Sequence, residues 1–257
     1  YSMNTSAKED GPITLEYDLY DLPTAQHKAG LAGLLLMIES MKMRKMAPIP
    51  EVKCDSTKAS ITFTRDIMQT LFDDLHDASW EEIEYRTKWK GNAPKREVTR
   101  QSEGKDGKNK ETKYYVYDQY IPKGEFLKSL YPVGNDLWLK LWRDMLWQTL
   151  RGRPLTRKIY EDRANKKPSS DAKKLWDSLV KSVEYRKKGK MLTESVVSST
   201  FIGAQDTNAE SVAFQGTVEH NLLLHFWTIA SLVYVPRLIK KNDKSKKYDF
   251  EEAGYVL

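Results

Sequence analysis

Hydrophobic positions recur at two different periods near the start of the chain. Over residues 13–20, Ile13, Leu15, Tyr17 and Leu19 alternate with Thr14, Glu16, Asp18 and Tyr20, which predicts a strand with one buried face. Pro23 ends it, and Thr24 is placed to cap a helix. From Ala25 the step becomes three and four, through Leu31, Leu34, Leu35, Ile38 and Met41, the stripe of a helix packed on a core. Gly30 and Gly33 fall in its first turns, where each costs up to ~1 kcal/mol relative to alanine. A helix carrying both there is expected to meet another backbone at close range.

The same reading continues along the chain. Pro48 and Pro50 mark a loop, and 52–54 and 59–63 read as short strands. Thr64 or Asp66 caps a helix to about residue 78, with Ile67, Leu71, Phe72 and Leu75 inward. Residues 80–89 alternate as a strand through Ile83, Tyr85, Thr87 and Trp89, and 114–121 form an aromatic-rich one. Between them, 90–112 is rich in Gly, Lys, Asn and Glu with no apolar period. It predicts a long, mobile hairpin loop.

Beyond Pro122 the pattern is mostly helical. Asn135 or Asp136 opens a helix with Trp138, Leu141, Trp142, Met145, Leu146 and Thr149 on one face, a stripe read as core rather than as a base-stacking platform. A short helix is expected over 155–165. A better one follows over 168–185, with Ser169 or Ser170 as cap. Residues 195–203 read as a strand, 204–214 as a polar loop rich in side-chain amides, and 217–233 as a last helix. The predicted fold class is α+β, with a mixed sheet and packed helices in the first half and a more helical second half. Residues 1–121 are expected to form the sheet-and-helix region with the basic loop 90–112. Residues 122–257 are expected to form a mostly helical region with short strands. The chain opens on Tyr1 and ends on Tyr255, Val256 and Leu257, so it is expected to continue, as the amino-terminal portion of a longer subunit.

Composition narrows the function classes. A hydrophobic content of 40% with 7 Trp and 14 Tyr excludes a disordered chain. Cys54 is the single cysteine, which rules out an internal disulfide and fits a reducing cytoplasm. The longest apolar run, 222–235, is interrupted by His225 and is too short to span a bilayer, so no membrane partner is expected. The net charge of +6 is segregated. Residues 66–84 are acidic, whereas 86–113 and 140–190 carry excess Lys and Arg. One basic run alone is usually a solvated face; several together point to a nucleic-acid surface.

Catalytic chemistry finds little support. His27, His76, His220 and His225 show no recurrent ligand spacing, so neither a metal nor any other cofactor is expected. No nucleophile elbow, dinucleotide fingerprint or phosphate-cradling loop is present. Asp73–Asp74 and Glu81–Glu82 are neighbours that face different ways. His27 and Lys28 lie in a first helical turn, where a phosphate can bind; His27 as a buried hydrogen-bonding residue is the competing reading.

Two blocks carry a family resemblance: DLYDLPTAQHKAGLAGLLLMIESM near the start, and LLLHFWTIASLVYVPRLIKKND followed by FEEAGYVL near the end. They resemble the large subunit of type I CRISPR surveillance complexes (Cascade), in the Myxococcus-type branch. The residues between them match more weakly. The resemblance implies a non-catalytic nucleic-acid-binding subunit that helps hold the guide RNA end. It also implies recognition of the target-flanking motif in double-stranded DNA and guidance of the displaced single strand. Its implied partners are other Cascade subunits, with a nuclease-helicase or transposition machinery as effector. Phosphate contacts then fall to Lys88, Lys90, Lys95, Arg96 and Arg100 of the predicted loop and its flank, an arm that either closes over a phosphate backbone or is a plain surface insertion. Arg151, Arg153, Arg157 and Lys158 join them from the second basic stretch. Gln205 and Asn208, with amides that can bond an adenine edge, are the expected motif readers. The competing class is an RNA-cleaving endonuclease of a CRISPR system, with His27 or His220 as general base.

Overall fold

The computed structural model describes residues 11–103, 109–152, 154–197, 207–231, 237–241 and 248–252. Strand β1 (Ile13–Asp18) has the alternation read above, with Ile13, Leu15 and Tyr17 buried and Thr14 and Glu16 exposed. Helix α1 (Ala25–Met43) starts at Thr24, whose side chain accepts the His27 backbone N–H. Strands β2 (Glu51–Cys54) and β3 (Lys58–Phe63) complete an antiparallel sheet in the order β1-β3-β2, with Ile13 opposite Phe63 and Tyr17 opposite Ala59. Its apolar face joins α1 and helix α2 (Arg65–Leu75) in one core.

A second three-stranded sheet follows, made of β4 (Ala78–Tyr85), β5 (Arg96–Glu103) and β6 (Asn109–Pro122) in the order β4-β6-β5. Here the expectation of a loop over 90–112 is corrected, because Arg96–Glu103 pairs along β6 from Val116 to Asn109. A strand of Arg, Glu, Thr and Gln shows no apolar alternation when its side chains stay in water. The backbone ladder and cross-strand charge pairs hold it instead. Every named pairing between strands is antiparallel, so the sheets are not mixed.

Helices α3 (Glu125–Leu130), α4 (Leu137–Gly152), α5 (Pro154–Ala164) and α6 (Ser170–Lys187) come next. Ser169 sits at the α6 N-cap. Within α4, Trp142 and Leu146 are buried as expected, but Leu139 takes the inner place assigned to Leu141, which is exposed. The short hairpin of β7 (Thr193–Ser195) and β8 (Gln215–Thr217) leads into α7 (Val218–Leu223) and α8 (Trp227–Ala230). Strands β9 (Arg237–Lys241) and β10 (Tyr248–Glu252) pair as a final hairpin. Only the first residue of the strand expected at 195–203 lies in β7, and 198–203 lie outside the described residues.

The expected single helix over 217–233 is broken. Its interruption at 224–226 brings the Leu223 and Phe226 carbonyl oxygens against α1, where β-carbons at Gly30 and Gly33 would overlap them. Both carbonyls accept from the residue three positions on, Phe226 N and Ile229 N, each at 3.0 Å, as in tight turns. Backbone thus meets backbone at the two glycines. The hydrophobic core runs from Ile13 to Ile229, across the division expected at 121/122.

Candidate nucleic-acid interface

The predicted phosphate contacts of the first basic stretch divide into two groups. Lys95 bridges Asp118 at 2.9 Å and Glu82 at 3.0 Å, Arg96 binds Glu82 at 2.6 Å, and Arg100 binds Glu84 at 2.7 Å. Hydrogen bonds donated to the Asp118 and Glu82 carboxylates hold the Lys95 ammonium above its ordinary pKa. These three cations are therefore paired with carboxylates across the sheet, Glu82 and Glu84 of the acidic stretch and Asp118 of β6. Lys88 and Lys90 lie in the connection between β4 and β5, exposed, with no ion pair among the described contacts.

Lys90 faces a cleft of about 560 Å³ between the second sheet and α4–α5. Trp80, Trp89, Tyr120 and Trp147 wall it, and Lys90 and Arg157 line it with them. The aromatic rings hold one another in place. Trp80 meets Tyr120 edge-on at 5.7 Å, Tyr120 meets Trp147 at 6.0 Å, and Trp89 stacks on Tyr117 at 4.3 Å. Trp80 Nε1 donates to Asn165 Oδ1 at 3.0 Å, and the Trp89 backbone N–H donates to the Tyr117 hydroxyl at 2.9 Å. Burial pushes the Tyr120 hydroxyl up to about 12, against the pull of the Arg157 guanidinium. Asp118 and Glu161 also line the cleft. It combines flat apolar walls, acceptors and two cations, a set that suits a nucleobase with its phosphate.

Sequence reasoning placed Lys90 and Arg157 in separate basic runs and took Trp80 and Trp89 as strand residues. The signal in the sequence is a tryptophan set directly before Glu81 and Glu82; the fold leaves Trp80 44% exposed. Lys158 is paired with Asp162 at 2.8 Å. Arg151 belongs to α4, with its side chain outside the description, and Arg153 lies outside the described residues.

The family model for the Type I-B CRISPR Cas8b N-terminal domain matches residues 49–257. The chain belongs to this family. The matched span begins after α1, so the opening block of the resemblance lies ahead of it. No curated protein matches the chain. Among the described residues, no helix of this Cas8b N-terminal domain is long and apolar enough to cross a membrane.

Two further expected sites of the Cas8b domain lie elsewhere in the chain. Gln205 lies outside the described residues. Asn208 Oδ1 accepts the backbone N–H of Glu210 at 3.0 Å and of Val212 at 2.9 Å. Its carbonyl end is therefore committed to its own turn, and a two-point contact to an adenine edge would require giving that turn up. His27 is buried, with Nδ1 at 2.7 Å from Thr24 Oγ1 and its ring 5.9 Å from that of His220. The Thr24 side chain and carbonyl already accept the His27 and Lys28 backbone N–H groups. The first turn of α1 is thus a capped helix start in which the His27 and Lys28 backbone N–H groups assigned to a phosphate are already bonded to Thr24, while the Lys28 side chain is exposed.

Burial, with the His220 ring beside it, pushes His27 down to about 4. In the unfolded chain the ring takes up a proton near ~6.5. Between those values the unfolded state binds more protons, so stability falls as the pH drops from about 6.5 towards about 4. His27→Gln, which keeps a hydrogen-bonding group beside Thr24, is expected to flatten part of that decline in melting temperature. An unaltered pH profile would show that this ring does not take part.

Proposed function

We propose that this Cas8b domain holds nucleic acid without cutting it, and that the aromatic cleft receives an unpaired nucleotide of the displaced DNA strand. The observation that supports this is the convergence of Trp80, Trp89, Tyr120 and Trp147 with Lys90 and Arg157 on one cleft. Aromatic faces accept any base, and a cation beside them meets the phosphate. Such a site suits a strand whose sequence is read elsewhere by pairing with the guide. A nuclease reading fares worse. His27 is buried and neutral at physiological pH, and burial lowers His220 as well, which makes both weak general bases. Contacts to guide RNA, to the target-flanking duplex and to the other subunits of a surveillance complex belong to the same proposal. So does recruitment of a nuclease-helicase or a transposition machinery.

The test uses the assembled complex with guide RNA and a target whose displaced strand carries a fluorescent base. Trp80→Ala and Trp89→Ala are each expected to weaken single-strand binding about ten- to a hundredfold, the range of ~1–3 kcal/mol per stacked base. Lys90→Ala and Arg157→Ala should each flatten the log–log salt dependence by about 0.7. Lys95→Ala, Arg96→Ala and Arg100→Ala should leave that slope nearly unchanged, because their carboxylate partners already neutralise them. Wild-type strand affinity in both tryptophan variants would remove the cleft from the binding path.

A further inference from the structure

A cluster outside the cleft has no role in the reading above. His76 ends α2, Asp171 lies in the first turn of α6, and His225 occupies the break between α7 and α8. The fold brings them together so that one donor atom from each lies within 4.8 Å of the other two. No spacing along the chain reveals such a set, which is why the sequence pointed to no metal. We propose that His76, Asp171 and His225 bind a zinc ion that clamps α2, α6 and the α7–α8 break together.

The donor set is of the right kind. Two imidazoles and a carboxylate form a common zinc environment, with a fourth position left for water. Zinc bonds of ~2.0–2.2 Å put tetrahedral ligand atoms about 3.4 Å apart, so small side-chain rotations close the trio on an ion. His76 is also oriented from behind. Its Nδ1 faces Ser169 Oγ at 3.1 Å, and Ser169 N donates to Asp73 Oδ1 at 2.7 Å. With Nδ1–H donating to the hydroxyl, Nε2 carries the lone pair that binds a metal.

A second observation is independent of the clustering. Asp171 is only 8% exposed, and its Oδ2 has no hydrogen-bond partner. A buried carboxylate oxygen without a partner is costly and calls for a cation. Lys174 acts on it only through space. The Arg163 guanidinium, which faces His76, is bridged to Asp73 at 3.4 Å. Aromatic rings pack around the cluster: the Phe72 ring lies 5.8 Å from His76 and 4.9 Å from His225, and the Tyr160 ring 5.4 Å from His76. His225 is the least buried of the three.

The experiment is a metal titration of the purified chain after chelator treatment. Cobalt(II) should develop the strong visible absorption of a four-coordinate site, and zinc should abolish it at one equivalent. Zinc should also raise the melting temperature of the wild-type chain. Asp171→Asn and His225→Gln should each weaken zinc binding at least about tenfold. The cobalt readout on the wild-type chain needs no variant, so a misfolded variant does not blunt the test. A cobalt spectrum that stays that of the hydrated ion would overturn the proposal. So would zinc uptake unaffected by either substitution.

Discussion

Gly33→Ala is expected to destabilise the domain by about 3 kcal/mol, although alanine is the better helix former. Propensity alone would favour alanine by up to ~1 kcal/mol. Against that, the new β-carbon would overlap the Phe226 carbonyl oxygen, which is backbone and cannot rotate away. Phe226 is itself fully buried, on a ring contact with Phe72 at 5.6 Å. Relief therefore requires α1 and the α7–α8 break to separate, and overpacking of this sort costs ~1–3 kcal/mol or more. In a chain of this size the melting temperature should fall by roughly 6–12 °C. Gly30→Ala should act in the same direction through the Leu223 carbonyl. The measurement is urea and thermal denaturation beside wild type. A Gly33→Ala chain as stable as wild type would mean that the two backbones do not meet there.

A comparable loss is expected from Arg44→Met. Arg44 extends from the end of α1 to Asp74 on α2, with Nη1 at 2.8 Å from Oδ1 and Nη2 bonded to Oδ2. Its Nε donates to Ser40 Oγ at 3.0 Å, and Ser40 Oγ meets Ser129 Oγ at 2.7 Å, which ties α1 to α3. The Asp74 side chain is 7% exposed. Methionine preserves most of the packing volume but leaves that carboxylate buried and unpaired, at a cost of ~3–5 kcal/mol. Asp74→Leu in the same chain removes the stranded charge, so the double variant should recover most of the stability. A double-mutant cycle measures this directly. If Arg44→Met and the double variant proved equally unstable, packing rather than charge would be the cause.

Both predictions touch features that were unequally visible in the sequence. The two glycines stood out because a core helix seldom carries a pair of residues that weaken it, and the demand for close approach followed from that. What approached could not be read. The carbonyls belong to residues 223 and 226, far along the chain, where the apolar run 217–233 looked like one helix. Its composition is that of a continuous buried helix, and the break arises from the contact with α1 and is invisible locally. Arg44 and Asp74 were charged residues like many others; only burial gives their pairing its weight.

Periodicity, caps and composition determined the early elements of this protein. A strand with one wet face and a helix on a core each impose their own repeat on the side chains. Thr24 and Thr64 cap α1 and α2 because a side-chain oxygen must meet the first free N–H groups. The resemblance carried by two short blocks led to the right family. Tertiary structure decided the rest. Strand β5 has water around its side chains and leaves no apolar trace, so its pairing on β6 and its bonds to Glu82 and Glu84 appear only in the folded chain. The cleft joins Trp80 and Trp89 to Trp147 and Arg157, and the histidine cluster joins His76 to Asp171 and His225. Sites of this kind depend on distances between residues remote in the chain, and packing of the whole core sets those distances, whereas local backbone geometry sets only the repeat.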